Sequence, residues 1–210
     1  MSDSKSILMV APQPFFSARG TPFSVLHRIR ALTTLGHRVD LVTYGYGEDI
    51  EMEGLRIFRT AKLPGLSKVK LGPSIPKIFL DVLLYRETRA LLRRNRYDVL
   101  HSHEEAAFFA VGLCRKHGLP HLYDMHSSLP LQLSNFKSFN LGIFRTAFER
   151  LEHQVLSTCD AVITICDDLA RIVEPNYPDV PHAMIENTGE DRKVFQRSTR
   201  DWAGELDLGT

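Results

Sequence analysis

The chain has 210 residues, of which 43% are apolar and 24% are charged, and its formal net charge is +1. These values are typical of a globular domain, and the near-zero charge argues against a general nucleic-acid binder. The three cysteines form no Cys-x-x-Cys pair, and no apolar run approaches the ~20 residues that span a bilayer. The composition therefore indicates neither a disulfide framework nor a membrane-spanning helix.

Strand-type and helix-type segments alternate along most of the chain. Residues 7–11 form a continuous apolar run, as in a strand buried on both faces, and a helix follows over residues 22–35 with Thr21 as its N-cap. Further strands are predicted at residues 39–44 and 55–59, directly before His103, directly before His126, and at residues 161–166 and 183–186. Further helices are predicted at residues 75–95, 106–114, 144–157 and 168–174. This order predicts an α/β fold with a doubly wound parallel sheet.

The pattern stops near residue 190. We expect residues 1–190 to form one domain and the polar residues 191–210 to be a linker that leads to a further, absent domain.

Two histidine-bearing segments follow neighbouring predicted strands. Because polar residues at the carboxyl ends of parallel strands face the crevice where such sheets bind ligands, we expect His101, His103, Glu104 and His126 to share one rim. The same histidines, with His121, have the ligand types of a metal cluster. The family resemblance described below explains them without a metal, so no metal is expected.

The loop over residues 12–20 leads into the first helix. A helix N-terminus attracts anions such as phosphate, and Gly20 permits close backbone approach there, but a plain capped helix start explains the same residues equally well. Gly45-Tyr-Gly47 follows the second strand rather than the first, so it is not interpreted as a dinucleotide loop.

Basic residues concentrate between Arg56 and Arg96, where eleven Lys or Arg face two acids, a local charge of +9. One interpretation is a solvated helix face beside a loop. The other is contact of residues 62–77 with an anionic membrane surface, since apolar residues are interspersed there.

Five segments, taken in order, resemble the N-terminal half of glycosyltransferase family 4 enzymes. They are ILMVAP with Arg19-Gly20, LTTLGHRVDLVTY, DVLHSHE, GLPHLYDMHSS and ERLEHQVLSTCDAVITICDDL. The resemblance implies one Rossmann-like half of a GT-B fold, whose partner half binds most of the nucleotide-sugar. It also implies a retaining, metal-independent sugar transfer to a glycan or lipid-linked acceptor, with no cofactor, in the cytoplasm or at the inner face of a membrane, as in the synthesis of cell-envelope glycans.

By the same resemblance, His126 takes the place of the family's active-site histidine. Gly20 and Thr21 match the loop near the donor phosphates, and His103 and Glu104 line the acceptor side. The first loop usually has two glycines, and Arg19 replaces the first here, where it could instead bind an anionic group.

No Glu-x₇-Glu motif occurs in the chain, although that motif belongs to the family's C-terminal domain. We therefore expect the chain alone to be inactive. The alternatives are a non-catalytic α/β binding module that acts with a partner chain and, less well matched by the motifs, a GT-B sugar-nucleotide epimerase.

Overall fold

A computed structural model of the chain describes residues 4–17, 20–69, 74–128, 130 and 142–186. The strands are β1 (Ser6–Ala11), β2 (Arg38–Thr43), β3 (Leu55–Arg59), β4 (Val99–His103), β5 (His121–Met125), β6 (Ala161–Thr164) and β7 (His182–Met184). The helices are α1 (Gly20–Thr34), α2 (Ile75–Arg94), α3 (Ala106–His117), α4 (Gly142–Thr158) and α5 (Asp167–Asn176). None of these described helices is long and apolar enough to cross a membrane.

All seven strands join one parallel sheet in the order β3-β2-β1-β4-β5-β6-β7. The predicted doubly wound sheet is confirmed. The chain builds outward from β1 through β2 to β3, and then returns to place β4 on the other side of β1. This reversal makes the carboxyl ends of β1 and β4 the topological switch point, where open α/β sheets bind their ligands.

The core lies on both faces of the sheet, because the central strand β1 is apolar from Ile7 to Ala11. Along β1, Leu8 and Val10 pack in one cluster, and Ile7, Met9 and Ala11 pack in another on the opposite face. This alternation follows from the two-residue period of a strand. Helices must therefore cover both faces of the sheet, and these helices lie in the connections between consecutive parallel strands.

The start of α1 differs from the prediction. The helix begins at Gly20, so Thr21 lies within the first turn and the prediction that it caps the helix is wrong. Pro22 is tolerated in that turn because the first amides of a helix have no intrahelical acceptor. The predicted linker at residues 191–210 lies outside the described residues.

The two glycines after β2 have a packing role. A side chain at Gly45 would collide with the backbone of Thr60, and one at Gly47, where φ is 107°, would collide with the backbone of Phe15. Close approach of neighbouring loops explains this Gly-x-Gly sequence without a bound nucleotide.

Candidate active site

Two predicted site residues meet beside the switch point. Glu104 follows the last residue of β4, and its φ of 48° is a left-handed conformation that side-chain-bearing residues rarely adopt. Thr21 donates its hydroxyl hydrogen to Glu104 Oε1 at 3.4 Å, which joins the first turn of α1 to the loop after β4. Gly20 opens the helix and is exposed, whereas Arg19 lies outside the described residues.

His101 and His103 point to the same side of β4, as expected for residues two apart on a strand. Their rings stack with centroids 4.7 Å apart, and both side chains are buried. His103 Nδ1 lies 3.1 Å from His126 Nε2, so the histidine after β5 joins the pair. These three of the four residues predicted to share a rim therefore lie together.

Asp124 of β5 lies at the centre of the three rings. Its Oδ2 is 3.3 Å from His101 Nε2 and 3.8 Å from His103 Nδ1, and its Oδ1 is 3.2 Å from His126 Nε2. We call His101, His103, Asp124 and His126 the histidine–aspartate cluster. The contact with Asp124 directs the His126 side chain into the protein, where only 3% of it is exposed. The expectation that His126 points into an open cleft is not met, because the carboxylate attracts its ring.

Arg28 of α1 provides the charge that balances this carboxylate. Its Nε donates to Asp124 Oδ2 at 3.0 Å, and its Nη2 donates to the carbonyl oxygen of Ile185 at 2.9 Å. The side chains of Arg28 and Asp124 are 10% and 0% exposed, so the ion pair is shielded from water. A buried charge is stable only when it is paired in this way.

Burial and charge set the protonation of the cluster. Burial lowers the pKa of His103 well below its ordinary value, which leaves the ring neutral at pH 7. Burial alone would raise the pKa of Asp124, but the surrounding ring nitrogens lower it well below its usual range. The cluster thus holds an ionised carboxylate at pH 7.

A second group of ionisable residues fixes the start of α2 to the same edge of the sheet. Lys77 forms a short ion pair with Glu105, and the Tyr44 hydroxyl donates to Asp81. Burial and the nearby Glu105 raise the pKa of Asp81 to about 7. We call these four residues the α2 anchor. Burial and Glu105 also raise the pKa of Glu104, the next residue along the edge.

Sequence reasoning missed Asp124 and Arg28. Asp124 has a detectable signal, because a residue two positions before His126 on a strand points to the same side. Arg28 has a weaker signal, since it lies among Val25, Leu26 and Ile29 on the buried face of α1. An arginine on an apolar helix face needs a buried acidic partner, but the sequence does not show which acid that is.

The cluster also contains side chains that could hold a metal ion. Donor atoms of His101, His103 and Asp124 all lie within 4.8 Å of one another. His121, the other histidine considered as a ligand, lies apart from them. It donates to or accepts from Ser102 Oγ at 2.7 Å and is buried at the start of β5.

Comparison with known proteins gives one family and one fold. The model of the family described as Glycosyltransferase Family 4 matches residues 18–187. Sucrose-phosphate synthase from Thermosynechococcus elongatus has 18% identity and a TM-score of 0.70 over 98% of this chain and 53% of that one. A UDP-glucosyltransferase from Polygonum tinctorium has 11% identity and a TM-score of 0.57 over 100% of this chain and 58% of that one.

A UGT transferase from Siraitia grosvenorii, in complex with UDP, has 10% identity and a TM-score of 0.55 over 87% of this chain and 50% of that one. No curated protein matches the chain significantly. At these identities the solved structures show the fold alone, which is the Rossmann-like half of GT-B glycosyltransferases. The chain spans about half the length of these structural neighbours.

Proposed function

The chain belongs to glycosyltransferase family 4, and we propose that it is the acceptor-side domain of a retaining transferase that moves a sugar from a nucleotide-sugar to a glycan or lipid-linked acceptor. The observation that carries the proposal is the contact between Thr21 and Glu104 at the switch point. It brings a helix N-terminus and a carboxylate to the edge where ligands bind in this sheet type.

The donor diphosphate would lie at the start of α1. The unpaired amides of the first turn attract phosphate oxygens, and exposed Gly20 lets them approach. Arg19 would add a positive charge there. The structural neighbour from Siraitia grosvenorii was solved in complex with UDP, which supports a nucleoside diphosphate of this kind as the donor's leaving group.

The acceptor would lie against Glu104, with His126 behind it. His126 is held by Asp124 and His103, so its ring needs no reorganisation when the sugar binds. The residues contribute by positioning the substrates and stabilising charge, and the transfer needs no metal ion or cofactor. Much of the charge stabilisation would come from the other half of the GT-B fold.

Two measurements test this proposal. Calorimetry of the chain with a panel of UDP- and GDP-sugars should give only weak binding and no transfer, and tight binding by the isolated chain would contradict the division of labour between the domains. In the full transferase, His126→Ala should lower turnover strongly in a chain that still folds, although loss of the buried ring should also lower the melting temperature. Unchanged turnover in this variant would favour the alternative, a non-catalytic binding module that acts with a partner chain.

The surface of α2 supports a lipid-linked acceptor. Four apolar side chains at helical spacing are exposed, namely Ile75 (73%), Ile78 (64%), Phe79 (59%) and Val82 (52%). Arg86, Arg89 and Arg93 continue the same face at four-, seven- and eleven-residue steps from Val82. An apolar stripe that continues as arginines is typical of helices that lie in the surface of an anionic membrane.

The acids of α2 do not oppose this contact. Asp81 is held by Tyr44, and Glu87 lies about a third of a turn away from the stripe. The α2 anchor fixes the apolar end of the helix at the edge that carries Glu104. A peripheral contact here, at the cytoplasmic face of a membrane, would present a lipid-linked acceptor to the site.

Vesicle sedimentation tests the membrane contact. The chain should bind vesicles that contain phosphatidylglycerol at low salt, and should be released at high salt or from pure phosphatidylcholine. The double variant Ile78→Ser, Phe79→Ser should lose binding, whereas Leu35→Ser, which changes an equally exposed side chain at the end of α1, should retain it. Equal binding by all three chains would refute α2 as the contact surface.

A further inference from the structure

The histidine–aspartate cluster contains a buried carboxylate oxygen without an aligned hydrogen bond among the described residues. Asp124 Oδ2 is engaged by Arg28 and His101, but Oδ1 is buried and receives no aligned hydrogen bond from the described residues. His126 Nε2 lies 3.2 Å from Oδ1 and His103 Nδ1 lies 3.1 Å from His126 Nε2. One carboxylate oxygen and two imidazole nitrogens therefore face one another in a buried space.

These separations match those of metal ligands. An ion ~2.0–2.1 Å from its nitrogen and oxygen ligands keeps neighbouring ligand atoms about 3.0–3.4 Å apart. The two measured separations of 3.2 Å and 3.1 Å lie within that range. The remaining side joins His103 Nδ1 to the Asp124 carboxylate, whose Oδ2 lies 3.8 Å away, so binding an ion through Oδ1 requires a shift of the His103 ring or of the carboxylate.

The surroundings resemble the outer shell of such a site. Metal-binding carboxylates are usually oriented by hydrogen bonds to the oxygen that does not bind the ion. Arg28 and His101 hold Asp124 in this way through Oδ2. Ligand atoms of the two-histidine, one-carboxylate type favour borderline divalent ions such as Zn²⁺ and Co²⁺ over Mg²⁺ and Ca²⁺.

We propose that Asp124 Oδ1, His103 Nδ1 and His126 Nε2 form a three-ligand site for a divalent transition-metal ion of the zinc type. Arg28 already neutralises Asp124, so the site binds more weakly than a structural zinc site with thiolate ligands. The Nδ1 of His126 and the Nε2 of His103 have no partner among the described residues, which also weakens the site.

The ion would act on the transferase as an inhibitor. This consequence rests on the proposed function, because an ion on His126 Nε2 occupies the ring that would support the sugar. The transfer itself remains metal-independent, and a chelator would restore it. The site and its effect on activity are separate observations, so binding is tested first without any substrate.

Calorimetric titration of the chelator-treated chain with ZnCl₂ tests the site directly. We expect one equivalent to bind, and Co²⁺ to give the visible absorption of a four-coordinate ion. His103→Ala and His126→Ala should each lower the affinity at least about tenfold. His117→Ala, which removes a histidine at the end of α3, should bind as the unchanged chain does.

Circular dichroism and melting temperatures of each variant show that the fold is kept. If His103→Ala does not fold, His126→Gln, in the loop after β5, and the isosteric Asp124→Asn replace it and should lose binding equally. The proposal is overturned if Zn²⁺ gives no saturable binding, or if binding is unchanged in folded His126 and Asp124 variants. Loss of nucleotide-sugar transfer has no bearing on either result.

Discussion

Replacing Arg28 by alanine should destabilise the chain severely, because it leaves Asp124 buried and charged without its partner. Asp124 is fully shielded from water, and Arg28 Nε is the nearest cationic atom at 3.0 Å. Breaking a buried ion pair from one side costs about 3–5 kcal/mol. For a chain of this length each kcal/mol lowers the melting temperature by about 2–4 °C, so we expect a fall of about 6–20 °C.

Urea unfolding followed by circular dichroism at pH 7 measures this loss, with Arg171→Ala as the matched control. Arg171 pairs with Asp168 on the surface, where both side chains are more than two-thirds exposed, so its removal should change stability by less than about 1 kcal/mol. The double variant Arg28→Met, Asp124→Asn should recover part of the loss, because neither member is then a buried charge.

The pH dependence of this loss of stability provides a further check that it arises from the charge on Asp124. The rings of His103, His101 and His126 outweigh burial and lower the pKa of Asp124, so the charged carboxylate stabilises the fold above its unfolded pKa of about 4 and loses that effect as the pH falls through the native value. The difference between the unchanged chain and Arg28→Ala should therefore narrow on acidification. If the free energy of unfolding of Arg28→Ala at pH 7 lies within about 1 kcal/mol of that of the unchanged chain, the reasoning is refuted.

Two further perturbations test other parts of the fold. Gly45→Ala and Gly47→Ala should each destabilise the chain by more than about 1 kcal/mol through backbone collisions, whereas Gly112→Ala, with open space around it, should not, and equal urea midpoints for all three would contradict this. Asp81→Asn should stabilise the chain more at pH 8 than at pH 5, because the native pKa of about 7 means that ionisation of Asp81 costs stability as the pH rises. An Asp81→Asn effect that is the same at both pH values would show that this carboxyl does not titrate in the fold.

The sheet was predictable because its signals are local. Apolar runs such as residues 7–11 and the stops between them are enough to order strands and helices, and the parallel arrangement follows from the crossovers. The start of α1 was not predictable to the residue. Thr21 and Gly20 are both acceptable at a helix boundary, and the helix includes both of them, with the Thr21 hydroxyl directed to Glu104.

The candidate site was predictable in part for the same reason. His103 and Glu104 follow one strand and His126 follows the next, so topology alone brings them to one edge. Asp124 and Arg28 depend on side-chain directions across 96 residues of sequence, which no local pattern encodes. The inward turn of His126 follows from that distant pair, and it escaped prediction with them.

The reach of Arg28 has a consequence for how the protein is made. Its guanidinium joins α1 to Asp124 and to the carbonyl of Ile185, which lies 157 residues later in the chain. As a ribosome releases the polypeptide from its amino end, α1 emerges long before either acceptor exists. Arg28, on the apolar face of α1, therefore has no partner until β5 and then the segment after β7 have been synthesised, so the first βα unit cannot complete its packing before then. The contacts of Arg28 can be completed only after residue 185 has been synthesised.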